Sequence, residues 1–192
     1  MRIFLIRHGE SIKSGEDTIL TEEGKEQGKK IALFLKNIKV DKVYVSELTR
    51  AKQTSEEYKK ISNFVEIQTT PELNEIYRVI IGGPSKDGTS PNREEKDKKR
   101  ADTLFDRLLN SKDEIVFLFT HGNLIRYFIA RTLKVNPKKF WQSLVISPGS
   151  ISIIEKIEDH WQVNAVNIIS HLNSKVVDNF YKGEVKSENY FS

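Results

Sequence analysis

Ile115-Val116-Phe117-Leu118-Phe119-Thr120-His121-Gly122-Asn123 is the stretch on which the fold turns. Five consecutive β-branched, aromatic and aliphatic residues read as a short strand buried on both faces. The run stops at a histidine followed by glycine, and residues 124–133 then read as a helix. The chain opens on the same arrangement: residues 3–6 (Ile-Phe-Leu-Ile) run into Arg7-His8-Gly9-Glu10-Ser11. A third short strand is expected at 42–45, followed by a helix over 48–61. Residues 21–38 form a helix after the first strand, with Ile31, Phe34, Leu35 and Ile38 at i, i+3, i+4 and i+7. Thr21 is its N-cap, and Glu22 and Glu23 suit the positive helix end. Strands that alternate with helices need crossover connections. The expectation is therefore an α/β fold: a three-layer α/β/α sandwich around a mostly parallel sheet.

The rest of the chain is less sharply patterned. Residues 65–68 read as a short strand-like run and 94–109 as a helix. Two late strands, 150–156 and 161–166, are joined by a polar turn at Glu158-Asp159. Gly, Pro and Ser make 82–91 a loop. No internal repeat is evident. One domain over 1–172 and an unpatterned tail over 173–192 are expected for a chain of 192 residues.

Composition narrows the chemistry. With no cysteine, disulfides, thiolate nucleophiles and iron–sulfur clusters are excluded. No apolar run approaches the roughly 18 residues of a membrane span, and Met1-Arg2 leads directly into the first strand with no leader pattern. A cytoplasmic protein without a membrane partner is the expectation. The net charge is +4, and the eight charged residues 93–100 hold five positive and three negative. That run lacks interleaved aromatics, so it reads as a solvated face and nucleic acid is not an expected partner.

Ligands in open α/β sheets bind at the carboxyl ends of the strands. Those ends carry Arg7-His8-Gly9-Glu10-Ser11, then Ser46 with Arg50 close behind, then Thr120-His121-Gly122-Asn123. Two of only four histidines thus occupy the same station, each before a glycine that lets backbone approach closely. Arg7 and Arg50 supply permanently charged forks suited to phosphate oxygens. Two imidazoles, two guanidinium groups and a helix N-terminus make a phosphate pocket without a metal, and no cofactor is expected. Glu75 reads as a candidate proton donor, with Glu72 a near competitor. Ser11 and Asn123 read as phosphate ligands or as helix caps. His160 and His171 read as structural, and Trp141 and Trp161 as packing.

These residues carry a family resemblance. Arg7-His8-Gly9-Glu10-Ser11, Leu20-Thr21 with Gly24, Ser46 with Arg50-Ala51 and Gln53-Thr54, Leu73-Asn74-Glu75, and His121-Gly122-Asn123 resemble the ordered motifs of the histidine phosphatase (phosphoglycerate-mutase-like) superfamily. The resemblance runs from about residue 2 to about residue 172. It implies a phosphoglycerate-mutase-like fold and a two-step phosphoryl transfer. In it His8 is the nucleophile, Glu75 the proton donor and His121 a further catalytic group. Arg7, Arg50, Ser11, Gly122 and Asn123 hold the phosphate. The substrate would be a phosphorylated small molecule or a phosphoprotein, and a homodimer is one assembly the superfamily uses.

Within the superfamily, mutases typically follow the first motif with Trp-Asn, where this chain has Lys13-Ser14. They also carry a long insertion between the glutamate and the second histidine, and the interval from Glu75 to His121 is short. Residues 120–135, with Ser147-Pro148-Gly149-Ser150-Ile151, are similar to the mutase-like protein serine/threonine phosphatases associated with mitochondria. The expectation is a metal-independent phosphomonoesterase. A cofactor-dependent phosphoglycerate mutase and an idle phosphate- or phosphoprotein-binding module are the alternatives. Residues 76–102, where specificity is expected, match nothing assignable.

Overall fold

The computed structural model describes residues 1–12, 17–62, 66–85, 91–158 and 160–172. Its strands are β1 (Arg2–Arg7), β2 (Lys42–Ser46), β3 (Ile67–Thr70), β4 (Ile115–Thr120), β5 (Ile151–Ile157) and β6 (His160–Ile168). They form one sheet in the order β3-β2-β4-β1-β5-β6. The first four in that order are parallel to one another, and β5 pairs antiparallel with both β1 and β6. The mostly parallel sheet expected from the strand–helix alternation is present, with the two late strands adding the antiparallel part.

Side chains alternate across a strand, so each central strand feeds two cores. Phe4, Ile6, Val43, Val45, Phe117 and Phe119 pack against Ile31 and Leu35 of α1 (Glu22–Leu35) and Ala51 and Tyr58 of α2 (Thr49–Ile61). Ile3, Leu5, Val116 and Leu118 pack against Leu104 and Phe105 of α3 (Pro91–Leu109) and Leu124 and Phe128 of α4 (Gly122–Leu133). Two cores on opposite faces of one sheet make the three layers. Phe117 anchors the first, edge-on to Phe4 at 5.1 Å and to Tyr58 at 5.5 Å between ring centroids. Truncating a ring buried this way costs about 3–5 kcal/mol.

Three local expectations need correction. α1 ends at Leu35, so Ile38 lies beyond it. Phe34 is 40% exposed and not on the buried stripe. α1 buries Gly24, Gln27, Gly28, Ile31, Ala32 and Leu35, with a Cβ on Gly28 only 3.3 Å from Glu57 of α2, while Phe34 lies at the margin of that face beside His171, ring centroids 5.0 Å apart. Third, α3 begins at Pro91 and not at 94. The fixed φ of proline suits the first helical turn, so this proline opens the helix and does not close the loop before it. A four-residue helix, α5 (Phe140–Ser143), and short 3-10 turns at Pro71–Leu73, Arg78–Ile81 and Pro137–Lys139 complete the chain. Trp141 and Trp161 lie partly buried against the α3/α4 core, in keeping with the packing role read for them. Lys13-Ser14, Val65, residues 86–90 of the 82–91 loop, Asp159 and the tail 173–192 lie outside the described residues.

Candidate active site

The carboxyl ends of β1, β2 and β4 lie side by side, and backbone bonds hold the first loop among them. The amide of Arg7 donates to Ser150 O, and that of His8 to Thr120 O, each at 3.0 Å. Gly149 N in turn donates to His8 O at 3.0 Å. The loop amides that leave the sheet are taken by helix side chains. Gly9 N donates to Thr54 Oγ1 at 3.0 Å and Glu10 N to Gln27 Oε1 at 2.7 Å. Gly9 and Gly24 meet backbone to backbone. A Cβ on Gly9 would lie 2.3 Å from Gly24 O, and one on Gly24 only 2.0 Å from Glu10 O. Glycine is required at both positions by that approach.

The two histidines converge. Their ring centroids are 5.1 Å apart, and His8 is 6% exposed while His121 is fully buried. Nδ1 of His8 lies 2.7 Å from Gly9 O, an acceptor only, so it carries the proton and leaves Nε2 with a lone pair. The Nε–H of Arg50 donates to that Nε2 at 3.1 Å. Burial holds the His8 imidazole well below its ordinary pKa, and the charges of Arg7 and Arg50 push the same way; the Gly9 carbonyl opposes them. His121 is also held well below its ordinary value, by burial first, then by His8, Arg50 and Arg7. The Arg7 guanidinium packs on Gly122, where a Cβ would lie 3.4 Å from its Cζ, and donates to Ile146 O. A glycine after the histidine thus makes room for an arginine.

Glu75 and Glu72 separate clearly. Glu72 turns outward to Arg107, with both carboxylate oxygens engaged by that guanidinium. Glu75 turns inward to the start of α4. Its Oε1 accepts from Asn123 N and Leu124 N, each at 3.1 Å. Burial raises its pKa above the ordinary carboxyl value, opposed by the Asn123 amide and the charges of Arg7 and Arg50. The α4 amides expected to face a phosphate are therefore taken by a carboxyl group. A helix N-terminus favours an acidic side chain for the same reason it favours phosphate. Asn123 takes part through its amide, while its side chain bonds Ile76 O and Arg126 at 3.4 Å each. Ser11 forms an isolated antiparallel bridge with Leu20. His160 is exposed, and His171 bonds Gly149 O at 2.9 Å.

Two residues gain roles that residue type alone did not suggest. Asn74 Oδ1 accepts from Ser46 Oγ at 2.8 Å and from Glu47 N at 2.9 Å. The Ser46 hydroxyl hydrogen is thereby committed, so Ser46 Oγ accepts from Nε2–H of His121 at 2.7 Å. Neutral His121 then has a bare Nδ1, which is buried and has no hydrogen-bond partner among the described residues. The serine and asparagine set which nitrogen carries the proton. In the sequence they stand inside the motifs that carry Arg50 and Glu75, without a sign of this bond between them.

Comparison with known proteins agrees with this geometry. The model of the histidine phosphatase superfamily (branch 1) matches residues 3–96 and 89–169. The chain is 32% identical over 167 residues to the serine/threonine-protein phosphatase Pgam5, mitochondrial, of Drosophila persimilis, covering 78% of this chain and 56% of that protein. It thus spans little more than half the length of that relative. Among solved structures, a putative alpha-ribazole-5'-P phosphatase from Escherichia coli superposes with a TM-score of 0.73 at 23% identity, over 88% of this chain and 96% of that one. A phosphoserine phosphatase from Entamoeba histolytica, in complex with 3-phosphoglyceric acid, gives 0.71 at 22% identity over 90% and 99%. Because the family model spans nearly all of the described fold, this chain belongs to the histidine phosphatase superfamily.

Proposed function

We propose that this chain hydrolyses phosphomonoesters of alcohols, without a metal or cofactor, through a phosphohistidine on His8. Nε2 of His8 attacks phosphorus, the ester P–O bond breaks, and the Glu75 carboxyl gives its proton to the departing alkoxide. The resulting carboxylate takes a proton from water, the water oxygen attacks phosphorus, and the N–P bond breaks to release phosphate. Arg7, Arg50 and His121 surround the transferring group, whose negative charge spreads over three equatorial oxygens. Gly122, Ser11 and Asn123 border it.

The observation that carries the reading is the proton arrangement at His8: Nδ1–H held by Gly9 O, and the Nε2 lone pair beside Arg50. Such an imidazole is a nucleophile at neutral pH. The cations beside it are guanidinium groups, and among the described residues no three His, Asp or Glu side chains gather as metal ligands. The similarity to proteins named as phosphatases supports the same class.

Turnover of p-nitrophenyl phosphate in excess chelator is expected, with loss of activity in His8→Ala. A radiolabelled ester should leave an acid-labile, base-stable label on the wild-type protein. Full activity in His8→Ala would overturn the mechanism. Free phosphate, and not an isomer, is the expected product from 3-phosphoglycerate. Among the described residues no helix is long and apolar enough to cross a membrane. A cytoplasmic setting, a single domain over 1–172 and a homodimer belong to this proposal, to be read by fractionation, limited proteolysis and light scattering.

A further inference from the structure

The charged run 93–100 reads from sequence as a solvated helix face, and Lys96, Lys98 and Lys99 are indeed exposed. Arg100 differs. Its side chain is only 21% exposed, and its guanidinium faces the loop that carries Glu75. Nη1 donates to Pro71 O at 2.8 Å and to Glu72 O and Asn74 O at 2.9 Å each. Nη2 reaches Glu75 O at 3.4 Å and Asp97 Oδ1 at 3.1 Å. The other oxygen of Asp97 accepts Tyr77 N at 2.9 Å. Arg100 and Asp97, one turn apart on α3, thus bind the backbone on both sides of Glu75. Residues 75–77 belong to no strand or helix, so this segment lacks a ladder of its own.

We infer that Arg100 is a positioning residue for proton donation to the leaving group, acting through the backbone of residues 71–77 to hold Glu75 at the start of α4. The inference rests on the proposed role of Glu75. A planar fork with five donors in fixed directions spans several carbonyls at once, whereas an ammonium offers three donors from one point on a flexible stem. The phosphate-facing groups His8, Arg50 and Arg7 are held by β1 and α2, and Asn74, which orients His121 through Ser46, is tied to β2 by its own side chain through Ser46 Oγ and Glu47 N, so loss of Arg100 is expected to fall chiefly on the leaving-group side.

Leaving-group dependence reads this directly. An alkyl phosphate such as β-glycerophosphate needs a proton on the departing oxygen, whereas 2,4-dinitrophenyl phosphate releases a stable phenolate and does not. Because kcat/KM reports steps up to release of the alcohol, later hydrolysis of the phosphoenzyme does not mask the effect. Arg100→Ala is expected to lower kcat/KM for β-glycerophosphate by about 30- to 100-fold and for the dinitrophenyl ester by less than about 3-fold. Glu75→Gln should show the same split more strongly, and Lys99→Ala none. Equal losses with both esters in Arg100→Ala, or no loss, would overturn the inference while Glu75→Gln keeps its split. If Glu75→Gln shows no split, the proton-donor reading falls and this inference with it. Should Arg100→Ala fail to fold, Arg100→Lys decides by the same comparison: it keeps the charge and loses the fork, and the split is expected at reduced size.

Discussion

The Nε–H of Arg50 donates to Nε2 of His8 across 3.1 Å, on the nitrogen whose lone pair would attack phosphorus. A guanidinium on that atom keeps the imidazole from taking up a proton and lies next to where a phosphoryl oxygen would arrive. Arg50→Ala should therefore lower kcat/KM by about 10³-fold, near 4 kcal/mol at about 1.4 kcal/mol per tenfold. Its second effect distinguishes it from a generic loss. With the Arg50 charge gone, the His8 pKa rises, and the acid limb of the pH–kcat/KM profile moves to higher pH.

The wild-type pH profile follows from the two buried groups. The proposed reaction needs His8 unprotonated and Glu75 protonated, a minority state if both titrated at ordinary values. Burial lowers the His8 pKa and raises that of Glu75, so both shifts enlarge the competent population. A bell-shaped kcat/KM on the acid side of neutrality is expected, its acid limb well below the ordinary histidine value. Stability responds separately. With folded-state pKa values below the unfolded 6.5, His8 and His121 bind fewer protons in the native state. The stability they contribute is present above pH 6.5 and lost as pH falls through their folded values, and thermal melts at stepped pH check this.

Ser46→Ala removes the acceptor that fixes the proton on Nε2 of His121. A loss of about 10-fold or more in kcat/KM is expected, with the KM for phosphoester rising. Proton–nitrogen correlation spectra should report Nε2–H in the wild type and a changed tautomer balance in the variant. Unchanged spectra would remove the tautomer argument.

Glu72 and Glu75 give a paired test. Glu75→Gln should cost about 10²- to 10⁴-fold in kcat/KM for an alkyl ester. Glu72→Gln, which weakens the partly exposed pair with Arg107 and the bond from the Thr70 hydroxyl, should leave turnover within about 3-fold and stability within about 1 kcal/mol.

Gly24→Ala sets a methyl group against Glu10 O, so the Glu10 loop or α1 must move. Overpacking of this kind costs about 1–3 kcal/mol, or a drop of roughly 2–12 °C in Tm for a chain of this size. Activity should fall further than stability, because the displaced loop carries His8.

The station of each chemical side chain was legible because strand ends are marked sharply. An apolar run that stops at His-Gly locates His8 and His121, and Arg7 and Arg50 follow from the same edges. What was hidden depends on geometry without period. Residue type does not separate Glu75 from Glu72; the Leu73-Asn74-Glu75 motif favoured Glu75, and a 3-10 turn of three residues decides which one faces inward. The roles of Ser46 and Asn74 require two distant loops to meet. Phe34 misled because i, i+3, i+4 spacing does not register where along its margin the buried face of a helix ends. Arg100 was masked by the charged residues around it.

β1 lies between β4 and β5 in the sheet, so the strand that leads into His8 gains its first flanking partner only when residues 115–120 are made and its second only past residue 150. A nascent polypeptide that has not reached residue 115 would hold β2 and β3 ready to pair, and no working pocket. A chain that stops before residue 157 thus lacks part of the strand pair that flanks β1, and is expected to be inert, not a partly competent enzyme.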